Sequence, residues 1–167
     1  MFLSRRQMIT TAAASTVLPH VAFAKTHSVI TWDDLIPPGV PYSEIIGEGA
    51  VDEVNDFWRP IFDDNATKLN PVLDGADIKM PGYIIPMDLT TDGVTSFILV
   101  PYVGACIHVP PPPPNQLVFV TTKTPWPSDD LFEAVWVSGQ MRHETLSTDV
   151  AEIGYALVAD DIEVYEW

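Results

Sequence analysis

The second half of the chain alternates apolar segments with turn residues, a pattern typical of β-strands joined by short loops. Thr91-Asp92-Gly93 separates two of these segments, and Asp-Gly supplies the positive φ angle that a tight hairpin turn needs. The predicted strands are Ile78 to Leu89, Val94 to Tyr102, Leu117 to Thr122, Ala134 to Met141, and Tyr155 to Ala159 continued by Ile162 to Tyr165. About five strands in so small a region predict a mainly β protein, an OB-like five-stranded β-barrel.

The first half carries a different pattern. From His27 to Tyr42 it is rich in proline and acidic residues, which predicts an irregular arm. Apolar residues then recur at spacings of three and four and predict one short helix that ends at Pro60, with its apolar face formed by Val51, Val54, Trp58 and Ile61. A second short helix is expected where Ser147-Thr148-Asp149 can cap a turn running through Ile153. We therefore expect an N-terminal arm with a short helix over residues 25–72 and a barrel-like domain over residues 73–167, within a single folded unit, 25–167.

The first 24 residues have the three parts of an export signal. Ser4-Arg5-Arg6-Gln7-Met8 precedes a weakly apolar stretch from Ile9 to Leu18, and Ala22-Phe23-Ala24 supplies an A-x-A cleavage pattern. This combination resembles a twin-arginine signal peptide, which carries folded proteins across the membrane. It predicts a soluble periplasmic or otherwise exported protein whose mature chain begins at Lys25.

The charge of the mature chain is strongly negative. Removing residues 1–24 leaves six basic residues against 23 acidic ones, a net charge of −17. Such a surface repels nucleic acid and attracts cations. The single cysteine excludes an intramolecular disulfide, and the mature sequence contains no apolar segment long enough for a membrane-spanning helix. We therefore expect no nucleic-acid partner and no membrane span after signal removal.

Cys106-Ile107-His108 is the one stretch that points to metal chemistry. If the extended backbone of the preceding strand continues, Cys106 and His108 lie about 6.6 Å apart on one face, where both could reach the same ion. Thiolate and imidazole ligands favour zinc or copper. His143, which follows the fourth predicted strand, is the best distant candidate for a third ligand, and His27 on the arm is a poorer one. A Cys106-His108 thiol enzyme is the weakest alternative, because no oxyanion hole or orienting residue is recognisable.

Five prolines, Pro110 to Pro114, follow this pair after one intervening residue, Val109. They predict a polyproline II segment rising about 3.1 Å per residue, roughly 15 Å in all. The segment could be a rigid connection between strands, or a rib that docks a membrane transporter component or an export partner. The complete candidate binding motif is Cys106, His108, Pro110, Pro111, Pro112, Pro113, Pro114, Asn115 and Gln116.

Three stretches together resemble the bacterial exported family called domain of unknown function 3299. They are Ile84 with Pro86-Met87, the run from Leu99 through Cys106-Ile107-His108 into Pro110–Pro114 and Asn115-Gln116, and Val135-Trp136-Val137-Ser138-Gly139. The similarity covers roughly residues 30 to 167. The family has no established activity; the association of some members with lipoprotein-release or metal-related transporters implies a transporter partner. Some members are lipoproteins, whereas this chain has no cysteine at its cleavage point and is not expected to carry a lipid anchor.

The sequence thus predicts an exported binding or accessory protein that holds a soft transition metal at Cys106-x-His108. The alternative is a metal-free interaction module that docks its partner through the rib.

Overall fold

The computed structural model describes residues 25–52, 57–105, 111–127, 130–148 and 151–166. The strands in these ranges are β1 (Ser28–Val29), β2 (Ala50–Asp52), β3 (Phe57–Arg59), β4 (Asp77–Thr90), β5 (Gly93–Val100), β6 (Val118–Trp126), β7 (Ala134–Ser147) and β8 (Glu152–Val164). Short 3₁₀ helices occur at Trp32–Leu35, Asp64–Thr67, Pro71–Leu73 and Pro114–Gln116. No helix among these described residues has the length and apolar character required to span a membrane.

Five long strands close into a barrel in the order β4-β5-β6-β8-β7, and β7 pairs back to β4. The β6–β8 pairing is parallel and the other barrel pairings are antiparallel. This strand order, with its single parallel pair, is that of the OB fold. The predicted fold class, a mainly β protein built on a small OB-like barrel, is confirmed.

The barrel interior is filled by alternate residues of each strand, as the period of a β-strand requires. β4 contributes Ile78, Met80 and Ile84 to the interior, and β7 contributes Val135 and Val137. The ladder is irregular between Ser138 and Gly139 of β7. A Cβ on Gly139 would collide with the Val158 carbonyl oxygen of β8, so only glycine lets these two strands approach so closely.

A second apolar cluster covers part of the outer surface of the barrel. Ile98 and Val100 of β5 point outward into it and are fully buried, beside Leu117 and Ile153. Ala105, which precedes residues 106–110, is fully buried in the same cluster. The described residues on either side of segment 106–110 are therefore buried at Ala105 and again at Pro112 and Pro113.

The short helix predicted from the apolar spacing between Val51 and Pro60 is absent from the described residues of that stretch, which are strands. β2 and β3 flank residues 53–56 as antiparallel strands, with Val51 opposite Trp58. Trp58 is further fixed by its indole N–H, which donates to the Glu48 carbonyl oxygen at 2.9 Å. Val51 and Trp58 both favour strands, and a cross-strand pair stabilises them where an isolated short helix has little to pack on. A short helix does precede the barrel, but as the 3₁₀ segment Trp32–Leu35.

The helix predicted through Ile153 is also replaced by strand. Ile153 belongs to β8, which begins at Glu152. The Thr148 hydroxyl donates to the Ala151 carbonyl oxygen at 2.9 Å and accepts from the Ala151 amide at 3.1 Å. This tight connection lets β7 and β8 pair as far as Ser147 and Glu152.

Candidate functional site

The predicted motif divides between described and undescribed parts of the chain. Cys106, His108 and Pro110 lie outside the described residues. Pro111–Pro114, Asn115, Gln116 and His143 are described, and they are the part of the predicted site whose geometry is available.

The described prolines form a packed connection. Pro112 and Pro113 are buried, and Pro111 and Pro114 are half-buried. The segment runs into the 3₁₀ helix Pro114–Gln116, which leads directly to β6. The two central prolines are therefore covered by the protein's own residues, as a rigid structural connection requires.

Two buried amides attach this segment to the arm. The Asn115 side-chain amide donates to the carbonyl oxygens of Asn65 at 2.9 Å and Lys68 at 3.1 Å. The Gln116 amide donates to the Trp32 carbonyl oxygen at 3.0 Å. Asn115 and Gln116 are 1% and 3% exposed, so these bonds are shielded from water and hold the arm at a fixed position.

A cavity of about 380 Å³ lies where the arm meets the prolines, and we call it the proline cavity. Its wall is formed by Tyr42, Ser43, Glu44, Ile45, Phe62, Tyr102, Pro111, Pro112 and Pro113. A smaller cavity of about 200 Å³ is lined by Arg59, Pro60, Phe62, Pro111, Pro112, Pro114, Ala151 and Glu152. Because both cavities are lined by Phe62, Pro111 and Pro112, the two cavities adjoin each other.

The wall of the proline cavity is mostly aromatic and apolar, with one unsatisfied polar group. Ser43 is 5% exposed, and its Oγ has no hydrogen-bond partner among the described residues. Buried hydroxyls normally find a partner, so this one is an exception among the described residues. Burial raises the pKa of the Tyr42 phenol, and the neighbouring Tyr102 adds to the effect. Tyr42 therefore stays neutral at physiological pH.

Apolar side chains continue from the cavity onto the surface around it. The exposed apolar residues of the arm and of the segment after β5 are Tyr42, Ile45, Ile46, Ile61, Tyr102 and Val103. Ile45 forms a β-bridge with Phe62, and the Ile46 amide donates to the Ile61 carbonyl oxygen at 2.7 Å, which holds the two parts of the arm together. We call this set the apolar rim.

His143 lies on β7 with one ring nitrogen engaged. Its Nε2 is 2.8 Å from the Asn70 carbonyl oxygen, and its ring meets Tyr155 edge-on with centroids 5.4 Å apart. Since a carbonyl oxygen can only accept, Nε2 carries the hydrogen of this bond, and Nδ1 is the ring nitrogen through which the side chain would bind a metal ion. A backbone carbonyl often orients a metal-binding imidazole in this way. Within the described ranges, however, no group of three His, Cys, Asp or Glu side chains is placed so that it could hold a metal ion.

His27 is part of an ionic group at the start of the arm. Its Nε2 lies 3.2 Å from Asp160, and the Lys25 ammonium contacts Asp160 at 2.8 Å and Asp77 at 2.7 Å. The hydrogen bond from Lys25, aided by His27, lowers the pKa of the Asp160 carboxyl, and the same bond raises the pKa of Lys25. The group attaches the beginning of the arm to the barrel.

The arm's contribution to the proline cavity was not predicted from the sequence. Tyr42, Ser43 and Phe62 lie on irregular segments whose local pattern says nothing about their distant packing partners. The available signal was the abundance of large apolar residues in a stretch too rich in proline and glycine to form a regular element.

The fold and these cavities define a small OB-type barrel protein with an arm packed against a proline segment. The model of a family described as protein of unknown function, DUF3299, matches residues 32–164, and the chain belongs to that family. A crystal structure of a DUF3299 family protein from Pseudomonas aeruginosa PAO1 is similar, with a TM-score of 0.68 and 34% sequence identity over 86% of this chain and 99% of that chain. No curated protein matches the chain. The resemblance inferred from the Cys-x-His-x-proline motif is therefore confirmed.

Proposed function

We propose that this chain is an exported, non-catalytic binding protein of the periplasm, and that its site is the proline cavity together with the Cys106-x-His108 loop. The ligand is a soft transition metal ion, zinc or copper, or a complex that contains it. One observation carries the proposal. Tyr102 and Pro111 precede and follow the segment that contains Cys106 and His108, and both line the proline cavity.

Chain length supports this connection. Only eight residues separate Tyr102 from Pro111. Cys106 is four residues from Tyr102, so its Cα can lie at most about 14 Å from a residue of the cavity wall. A metal bound by Cys106 and His108 would thus be close to an apolar, aromatic-lined space.

The chemistry of the ligand pair agrees with a binding role. A thiolate and an imidazole prefer zinc and copper over harder cations, and the acidic surface draws cations toward the protein. His143 is proposed as the third ligand through Nδ1. Its hydrogen bond to Asn70 would then fix the ring in the orientation that coordination requires.

The experiment is elemental analysis of the mature protein, purified without chelator from the periplasm and washed at high salt to remove loosely bound cations. We expect close to one zinc or copper per chain in the wild type and none in Cys106→Ser or His108→Ala. His27→Ala is the matched control, because the His27 ring contacts Asp160 instead of the cavity wall, and it should keep its metal.

Two outcomes oppose the proposal. Absence of metal from the wild type would refute it, as would equal metal in the wild type and in Cys106→Ser. His143→Ala separately tests the third ligand. Full retention of metal in that variant would show that His143 is not a ligand and that the contacts of its ring with Asn70 and Tyr155 are structural.

The second candidate function is a metal-free interaction module that docks a membrane transporter component. The apolar rim favours this alternative, since its six large apolar side chains are exposed and three of them also line the proline cavity. Because Pro112 and Pro113 are buried, we place the proposed contact with the transporter on the apolar rim and not on the proline segment. A photo-crosslinker at Val103 that captures a transporter subunit in cells, and fails to do so in an Ile45→Asp background, would support it.

A further inference from the structure

A third cavity lies on the barrel, and its wall shares no residue with the proline cavity. It has a volume of about 150 Å³ and is lined by Trp32, Pro81, Gly82, Tyr83, Pro101, Ala134 and Tyr165. We call it the aromatic cavity. None of its wall residues carries a charge, and three of the seven are aromatic.

The cavity exists because two of its central residues are small. A Cβ on Gly82 would lie 2.9 Å from Cζ2 of the Trp32 ring, so the missing side chain is what lets Trp32 lie against β4. Trp32 is held there by its indole N–H, which donates to the Pro81 carbonyl oxygen at 2.9 Å. Ala134 pairs with Tyr83 across the β4–β7 ladder and contributes only a methyl group to the cavity wall.

The aromatic side chains are held in place by the surrounding structure. The Tyr165 amide donates to the Ala134 carbonyl oxygen at 2.9 Å, and its ring stacks on Trp136 with centroids 5.3 Å apart. Trp136 does not line the cavity, and its ring already makes a cation–π contact with the Lys79 ammonium, 5.6 Å from the ring centroid. Glu163 neutralises that ammonium at 2.6 Å, so Lys79 adds no unpaired positive charge beside the cavity.

These features select a particular ligand chemistry. Aromatic faces attract cations, and preformed aromatic cages are the usual way in which proteins bind quaternary ammonium groups. A primary ammonium or a guanidinium is usually held by a carboxylate that accepts from its N–H groups, yet no carboxylate lines the cavity. A quaternary ammonium has no N–H to satisfy. The net charge of −15 further favours a cationic ligand over a neutral one.

We propose that the aromatic cavity binds a quaternary ammonium group, carried either by a small choline-type solute or by a phosphocholine lipid headgroup. The site is independent of Cys106, His108 and the proline cavity. Its occupancy should therefore not depend on metal content.

The test uses ¹⁵N-labelled mature protein and follows the Trp32 indole N–H resonance by NMR. Tetramethylammonium chloride and choline chloride should shift this resonance in a saturable manner. The neutral isostere of choline, 3,3-dimethylbutanol, should bind at least about 3-fold more weakly, because it has the same shape without the charge. Tyr165→Leu and Tyr83→Leu should each weaken choline binding roughly 3- to 30-fold, since they remove one aromatic face and keep an apolar side chain.

Tyr42→Leu is the matched control, because Tyr42 lines the proline cavity and should leave choline binding unchanged. Sedimentation with phosphatidylcholine vesicles, lost in Tyr165→Leu, would assign the lipid headgroup as the source. Binding of free choline without vesicle binding would assign a solute. Equal affinity for choline and its neutral isostere, or no saturable shift with any of these probes, would overturn the proposal. This comparison uses only the wild-type protein, so it holds even if a leucine variant fails to fold.

Discussion

Tyr155 offers a quantitative test of how the arm is attached to the barrel. Its side chain is fully buried in the barrel interior. The hydroxyl donates to the Leu35 carbonyl oxygen at 2.5 Å and accepts from the Asn70 amide at 2.7 Å. Both partners belong to the arm, so one phenol joins β8 to two separate parts of it. Tyr155→Phe removes this hydroxyl and keeps the ring.

The expected loss follows from the two backbone groups left behind. A buried donor or acceptor without a partner costs about 1–3 kcal/mol, and the variant leaves one of each. Because phenylalanine has no hydroxyl to desolvate, we take the lower half of the summed range. The free energy of unfolding should fall by about 3 kcal/mol at neutral pH.

The same hydroxyl gives the prediction a pH dependence. Burial raises the pKa of Tyr155 from 10.0 to about 12, although the hydrogen bond from Asn70 opposes the shift. A raised pKa means that the folded protein keeps its proton after the unfolded chain has lost it. The stabilisation is therefore complete below pH 10 and is lost as pH rises from 10 to 12. By pH 11 the wild type should have lost about 1.4 kcal/mol of stability from this group alone.

The assay is urea unfolding of both proteins at pH 8, 10 and 11, followed by tryptophan fluorescence. Lys25 and Tyr42, whose pKa values are also raised, are present in both proteins, so their contributions cancel in the difference. The gap of about 3 kcal/mol at pH 8 should shrink by about 1.4 kcal/mol at pH 11. Tyr42→Phe is the control and should change stability by less than about 0.5 kcal/mol, because Tyr42 is half exposed. A gap below about 1 kcal/mol at pH 8, or one that does not vary with pH, would refute the reasoning.

Three further predictions concern other parts of the fold. Gly139→Ala should lower the free energy of unfolding by about 1–3 kcal/mol, because its Cβ meets the Val158 carbonyl; an unchanged urea midpoint would contradict this. Asp160→Asn should lower the melting temperature at pH 7, and the difference from wild type should vanish as pH falls through the lowered pKa of Asp160, because its bond to Lys25 is lost on protonation. A melting temperature difference that persists at pH 2 would argue against that bond. Gln116→Leu should cost about 1–3 kcal/mol in urea unfolding, because the Trp32 and Asn115 carbonyl oxygens lose their donor; equal stability would show that the amide is dispensable.

Local patterns sufficed for the barrel strands and failed where distant packing decides the structure. β4 and β5 were predicted closely because alternating apolar residues flank an Asp-Gly turn. β7 was predicted to end at Met141 but continues to Ser147, because antiparallel pairing with β8 tolerates polar residues such as Arg142 and Glu144 on an exposed face. The local sequence of β7 does not show that β8, which follows it in the chain, pairs with it beyond Met141.

The proline segment shows the same limit at the candidate site. The sequence predicted its stiffness and left open whether it docks a partner or connects strands. Its burial depends on Asn115 and Gln116, whose amides reach carbonyl groups 47 to 84 residues away. Such long-range hydrogen bonds leave no local signature, so the arm's share of the proline cavity could be found only in the folded structure.

The position of β5 has a consequence for how the molecule opens. β5 is hydrogen-bonded to β4 on one side and β6 on the other, and Phe97 and Leu99 face the barrel interior while Ile98 and Val100 face the outer cluster. A partial opening that releases only the arm or one edge strand would leave these amides hydrogen-bonded and shielded from solvent. They should be the slowest in the chain to exchange hydrogen for deuterium, at a rate set by global unfolding, while the β2–β3 hairpin exchanges through local fluctuations.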